Sequence, residues 1–99
     1  MNQTKYDVII IGAGIGGLVC GCYLSRKGAK VLVIEKNSEV GGYCRSFTKN
    51  GFTFNSYIRG FVGAKKGGIF NRILVDLGLE NKLKLLRPEV YDEIQFAGK

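Results

Sequence analysis

Two short apolar runs, Val8-Ile9-Ile10-Ile11 and Val31-Leu32-Val33-Ile34, enclose a glycine-rich turn and a stretch without formal charge. Runs this short and this β-branched read as strands. Between them stands Gly12-Ala13-Gly14-Ile15-Gly16-Gly17, then a helix-like segment over roughly 16–27 that ends in Arg26-Lys27-Gly28. Basic residues suit the negative end of a helix, and a glycine suits its C-terminal cap. A strand, a glycine turn, a helix and a second strand make one βαβ unit, and the second strand ends on an acid, Glu35.

Each glycine of the turn has a physical task. Gly12 lets the chain leave the strand sharply, Gly14 lets backbone approach a pyrophosphate, and Gly17 lets the helix lie against the strand. Gly21, four residues further on the same helical face, costs about 1 kcal/mol relative to alanine, and close helix-to-sheet packing is the reason to keep it. The helix N-terminus would aim N–H groups and partial positive charge at phosphates. Glu35 follows Gly14 by 21 residues, a spacing at which a carboxylate accepts hydrogen bonds from ribose hydroxyls and repels a 2′-phosphate. These features predict a bound dinucleotide. They leave FAD and NAD both open.

The segment after Glu35 narrows that choice. It runs Lys36-Asn37-Ser38-Glu39-Val40-Gly41-Gly42-Tyr43-Cys44-Arg45-Ser46. Acid, spacer, Gly-Gly doublet, Arg and Ser in this order resemble the flavin-dependent family of amine oxidases, phytoene desaturases, carotenoid isomerases and retinol saturases. GGYCRSF followed by NGFTFN is most similar to the phytoene desaturase and carotenoid isomerase branch, over residues 6–63. The resemblance implies FAD as cofactor. It implies that Gly12, Ala13, Gly14, Ile15 and Gly17 line the pyrophosphate and that Glu35 holds the adenosine ribose, with Lys36 near the adenine edge. Gly41, Gly42, Arg45 and Ser46 would continue along the flavin side, where a guanidinium can fork onto phosphate oxygens. The competing reading of the doublet is an ordinary turn with Arg45 as a solvated charge. One position departs from the pattern. The family places an acid after the second phenylalanine of this stretch, and here Phe54 precedes Asn55.

The resemblance further implies an enzyme, a flavin-dependent oxidoreductase or isomerase acting on a hydrophobic polyene or isoprenoid. A chain of 99 residues makes one small domain. The expected fold class is α/β: a Rossmann-like βαβ unit with a parallel sheet, a β-hairpin, and the start of a second domain. Residues 1–87 would form the first part of the dinucleotide-binding domain, and 88–99 the first strand of a substrate domain. The remainder of a longer parent chain is then a partner, and the piece alone is expected to be inactive. No catalytic residue stands out. Two other readings stay open: an NAD-binding dehydrogenase domain, in which the Gly41-Gly42 doublet has no role, and a non-catalytic nucleotide-binding module.

Charge and cysteines bound the rest. Fifteen basic and eight acidic residues give a net charge of +7, with no histidine. Such a balance favours phosphates or an anionic surface, but no nucleic-acid motif is present. The basic residues are expected to be solvated, with contact to a membrane surface as a secondary reading. Residues 8–24 carry no formal charge, yet five glycines among these 17 residues argue against a membrane span. The polar amino end is not a secretory signal, so a cytoplasmic chain is expected. Cys20, Cys22 and Cys44 show no metal-ligand spacing and are expected as small core-filling residues, without a metal.

Downstream, Asn50-Gly51 between alternating apolar residues predicts a hairpin, and 60–68 a loop. Residues 68–77 read as a helix that would put Ile69, Phe70, Ile73, Leu74 and Leu77 on one face and end at Gly78. Leu83 and Leu85 suggest a short strand. The alternation over Val90 to Phe96 predicts another.

Overall fold

A computed structural model describes residues 4–98, and β1 (Val8–Ile11) opens its regular structure. β1 runs into α1 (Ile15–Arg26) and returns as β2 (Val31–Ile34), parallel to β1 with Val8 opposite Val31 and Ile11 opposite Ile34. The ladder is extended at both ends. The Asp7 N–H donates to the Lys30 carbonyl at 2.8 Å, and the Gly12 N–H donates to the Ile34 carbonyl at 2.7 Å. The second bond carries the pairing into the glycine turn and sets that turn beside the end of β2.

α1 lies on one face of this two-stranded sheet. Gly17 makes the approach possible. A methyl group there would collide with the Gly12 carbonyl oxygen and stand 3.3 Å from Ile10 Cγ2. Gly21 is buried against Ile10, Val31 and Val33, but a methyl there would meet them at 3.4–3.8 Å, which is ordinary contact. Close packing therefore requires glycine at 17 and merely accommodates it at 21. Because glycines face the sheet, the cysteines beside them do not. Cys20 and Cys22 are exposed and Cys44 is half-buried, so the expected core-filling role is corrected. All three are free thiols.

The end of α1 follows a Schellman pattern. The Gly28 N–H donates to the Ser25 carbonyl at 3.0 Å, and the Ala29 N–H donates to the Leu24 carbonyl at 3.1 Å. β3 (Ser46–Lys49) and β4 (Phe52–Asn55) form the antiparallel hairpin, with Ser46 opposite Asn55 and Lys49 opposite Phe52. Asn50 and Gly51 both have positive φ, 51° and 80°, the pair of conformations a two-residue primed turn needs. Phe47 and Phe54 stack on one face with centroids 5.4 Å apart. On the other face Thr48 and Thr53 share a hydrogen bond of 3.2 Å.

Residues 4–62 and 63–98 form two separate units. The second contains α2 (Ile69–Asp76), held at its start by the Asn71 N–H on the Gly63 carbonyl at 3.0 Å. α2 ends as α1 does, with the Gly78 N–H on the Val75 carbonyl at 3.0 Å and the Leu79 N–H on the Leu74 carbonyl at 2.7 Å. Leu74 is its buried residue. Ile69, expected on the same face, is 80% exposed. The strands expected at Leu83 to Leu85 and at Val90 to Phe96 do not form; both stretches are irregular and exposed. An alternating pattern supplies one apolar face, but a strand also needs a neighbour for its backbone groups, and none of the described residues provides one.

Candidate functional site

The site gathers where β1, α1, β2 and the Gly-Gly doublet meet. Gly12, with φ of 104°, makes the turn that a side chain would resist. Ala13 follows, 1% exposed. Gly14 is the N-cap of α1, with φ −71° and ψ 175°, and its carbonyl accepts the Leu18 N–H at 3.0 Å. This backbone conformation is open to any residue, and a Cβ on Gly14 would meet no atom of the chain within 4 Å. Neither conformation nor packing demands glycine at this position. The bare space above the Gly14 backbone is what the missing side chain leaves.

No side chain caps α1, and its first turn carries no acid. The N–H groups of Ile15, Gly16 and Gly17 have no partner within the helix, as in the first turn of any α-helix. With the helix dipole they make a place for an anion.

The doublet docks onto this turn. The Gly41 N–H donates to the Ala13 carbonyl at 2.7 Å, and Gly14 and Gly41 form an isolated parallel bridge. Gly41 and Gly42 have φ of 114° and 56°. A Cβ on Gly42 would stand 3.2 Å from Gly14 Cα. The doublet is therefore a left-handed turn that touches the glycine turn through one bridge and opens a short 3-10 helix over Gly42–Cys44. Arg45 leaves it with its side-chain Cγ near Gly41 and its N–H donated to the Gly42 carbonyl at 3.3 Å. Ser46 begins β3, and its hydroxyl donates to Asn55 Oδ1 at 2.9 Å. The residue that departs from the expected acid thus closes the base of the hairpin as a neutral amide.

Glu35 ties the turn to the end of β2. Its Oε2 accepts the Ala13 N–H at 2.8 Å, and its Oε1 accepts both the backbone N–H and the side-chain Nδ2 of Asn37 at 2.9 Å. The Asn37 N–H foremost, then the Ala13 N–H, hold the Glu35 carboxyl below its ordinary value. Burial opposes them, and the Asn37 side-chain amide adds a smaller lowering. Lys36 is exposed beside it, and its N–H adds to the same effect.

Gly12, Ala13, Gly14, Ile15, Gly17, Glu35, Gly41, Gly42 and Arg45 are thus brought into one neighbourhood. Lys36 and Ser46 lie at its margins. Asn37 joins them without having been singled out by the sequence. Its only sequence signal is its place two residues after the strand-end acid, where an amide can fold back on a carboxylate.

A β1–α1–β2 unit with a glycine turn under a helix N-terminus, and an acid at the tip of β2, defines a dinucleotide-binding domain of the Rossmann class. The chain belongs to the NAD(P)-binding Rossmann-like domain family, whose model matches residues 10–77. It is similar to an all-trans-retinol 13,14-reductase of Homo sapiens, 38% identical over 83% of this chain and 14% of that protein. A 4,4'-diapophytoene desaturase of a Methylomonas species is 48% identical over 57% of this chain and 11% of the relative. Prolycopene isomerase of Daucus carota is 53% identical over 54% of this chain and 9% of the relative. A crystal structure of a Pyrococcus furiosus protein superposes with a TM-score of 0.59 at 29% identity, covering 72% of this chain and 18% of the other. The chain therefore spans a small part, 9–14%, of the curated relatives named here. Among the described residues no helix is long and apolar enough to cross a membrane.

Proposed function

We propose that this chain is the FAD-binding portion of a flavin-dependent oxidoreductase or isomerase that acts on a hydrophobic polyene or isoprenoid. The open space above Gly14, beside the docked Gly41-Gly42 turn, carries this reading. It leaves room for a pyrophosphate against bare backbone. Gly14 is the N-cap of α1, so the positive end of the helix adjoins the same place, and Arg45 follows the doublet. Glu35, kept ionised, suits the two hydroxyls of an adenosine ribose. The doublet favours FAD over a nicotinamide dinucleotide, since Glu35 serves either but the acid, spacer, Gly-Gly, Arg order resembles the flavin-dependent family and has no role at a plain nicotinamide site.

The relatives named for retinol, diapophytoene and prolycopene support a substrate rich in conjugated or isoprenoid carbon. The flavin, when bound, supplies the redox chemistry, and this chain's residues hold and orient it. The proposal includes a domain boundary near residue 87, further chain that completes the substrate site, a cytoplasmic location, and contact with a membrane surface as a secondary partner.

Incubating the purified chain with FAD and desalting it tests the reading. Retained visible flavin absorbance, reduced by Glu35→Ala, is the expected result. Retention of NADH with no FAD under the same conditions would overturn it in favour of a nicotinamide site.

A further inference from the structure

Asn37 stands two residues past Glu35, on the exposed stretch after β2. It turns two donors on one oxygen: its backbone N–H and its Nδ2 both lie 2.9 Å from Glu35 Oε1. Oε2 takes the Ala13 N–H at 2.8 Å. The last side-chain torsion of a glutamate is soft and broad, so a carboxylate at an exposed strand end has no fixed orientation of its own. Pinning Oε1 from the loop side keeps Oε2 turned to the glycine turn.

We propose that Asn37 is a positioning residue whose side-chain amide fixes the orientation of the Glu35 carboxylate, both against the Ala13 N–H and toward an unphosphorylated ribose. The ribose half rests on the dinucleotide-binding reading above. The positioning half concerns the free chain and needs no ligand. The donors that face Glu35 are the N–H groups of Ala13, Lys36 and Asn37 and the Asn37 amide, all of them neutral. They lower the carboxyl's proton affinity without a cation. Asn37 offers a donor that an aspartate of the same shape lacks, and this separates a role in bonding from one in shape alone.

The test uses the 99-residue chain and its N37A and N37D variants, followed by NMR without ligand. In N37A the Glu35 titration moves up toward the ordinary carboxylate value, and the Ala13 amide exchanges faster. In N37D both shifts are larger, because a second carboxylate replaces a donor. Both substitutions fall on an exposed loop residue and leave the backbone N–H bond in place. A second arm compares binding of ADP-ribose with that of its 2′-phosphate. The preference for the unphosphorylated form narrows by about three- to tenfold in N37A, the scale of losing one exposed charge-assisted bond, and does not narrow in N37D, whose added carboxylate itself repels a 2′-phosphate. Identical Glu35 titration and Ala13 exchange in all three proteins would overturn the proposal, as would N37D matching the unaltered chain in those two readouts. A ribose preference that does not move in N37A would overturn its selectivity half. If the unaltered chain binds neither ligand, the dinucleotide reading fails on its own, and the NMR arm still decides the role of Asn37.

Discussion

The Glu35 carboxylate bonds the glycine turn to the loop after β2, beside the backbone bond from Gly41 to Ala13. Because bonds to its ionised form depress the Glu35 carboxyl, its contribution is fully present above the ordinary carboxylate range and is lost as pH falls through the depressed value. Acid titration should therefore release the Ala13 amide from protection, as read by hydrogen exchange. In E35Q that pH dependence should vanish and protection should fall, since the one amide oxygen can accept from Ala13 or from Asn37 while the amide nitrogen accepts from neither. The glycines separate just as cleanly. G17A forces a methyl onto the Gly12 carbonyl and should cost about 1–3 kcal/mol in urea unfolding, the range for overpacking a close contact. G16A meets open space and should stabilise by up to about 1 kcal/mol through helix propensity. Equal effects of the two substitutions would contradict the packing described.

The β3–β4 hairpin is bonded on both faces, by the Phe47–Phe54 stack and by the Ser46–Asn55 and Thr48–Thr53 pairs. A double-mutant cycle on F47A and F54A should show a coupling of about 0.5–1.5 kcal/mol in hairpin stability. A coupling near zero would mean the rings merely sit side by side. At this scale much was legible in advance. Asn50-Gly51 named the turn, because few residue pairs accept two consecutive positive φ values. Gly28 and Gly78 named the ends of α1 and α2, because the left-handed cap is local geometry. The strands drawn from Leu83 to Leu85 and from Val90 to Phe96 failed for the opposite reason. Alternation is local, but the hydrogen-bonding partner a strand requires is not.

In the unit formed by residues 4–62, the sheet is covered by α1 on one face. On the other, Ile9 is 57% and Ile11 88% exposed, and Ile34 lies in the open with them. Parallel sheets are ordinarily covered on both faces, and a two-stranded sheet has both of its edges free to pair. The isolated chain should self-associate as its concentration rises. I9K and I11K together should shift it toward monomer in sedimentation velocity. Unchanged association in that variant would place the sticky surface elsewhere.

The sequence by itself determined the βαβ order, the glycine turn, the acid at the end of β2, the hairpin turn and both helix caps. All of these rest on backbone geometry within a few residues. It also put the Gly41-Gly42 doublet at a distance from Glu35 that implied a shared site. Only the tertiary structure decided that the doublet bridges to Gly14, that Gly17 rather than Gly21 is the obligatory close contact, and that Cys20 and Cys22 flank the helix instead of filling the core. It alone disclosed Asn37 behind Glu35. Those outcomes depend on which atoms meet across the fold, and spacing along a chain fixes a residue's neighbours in sequence but not the surface it is pressed against.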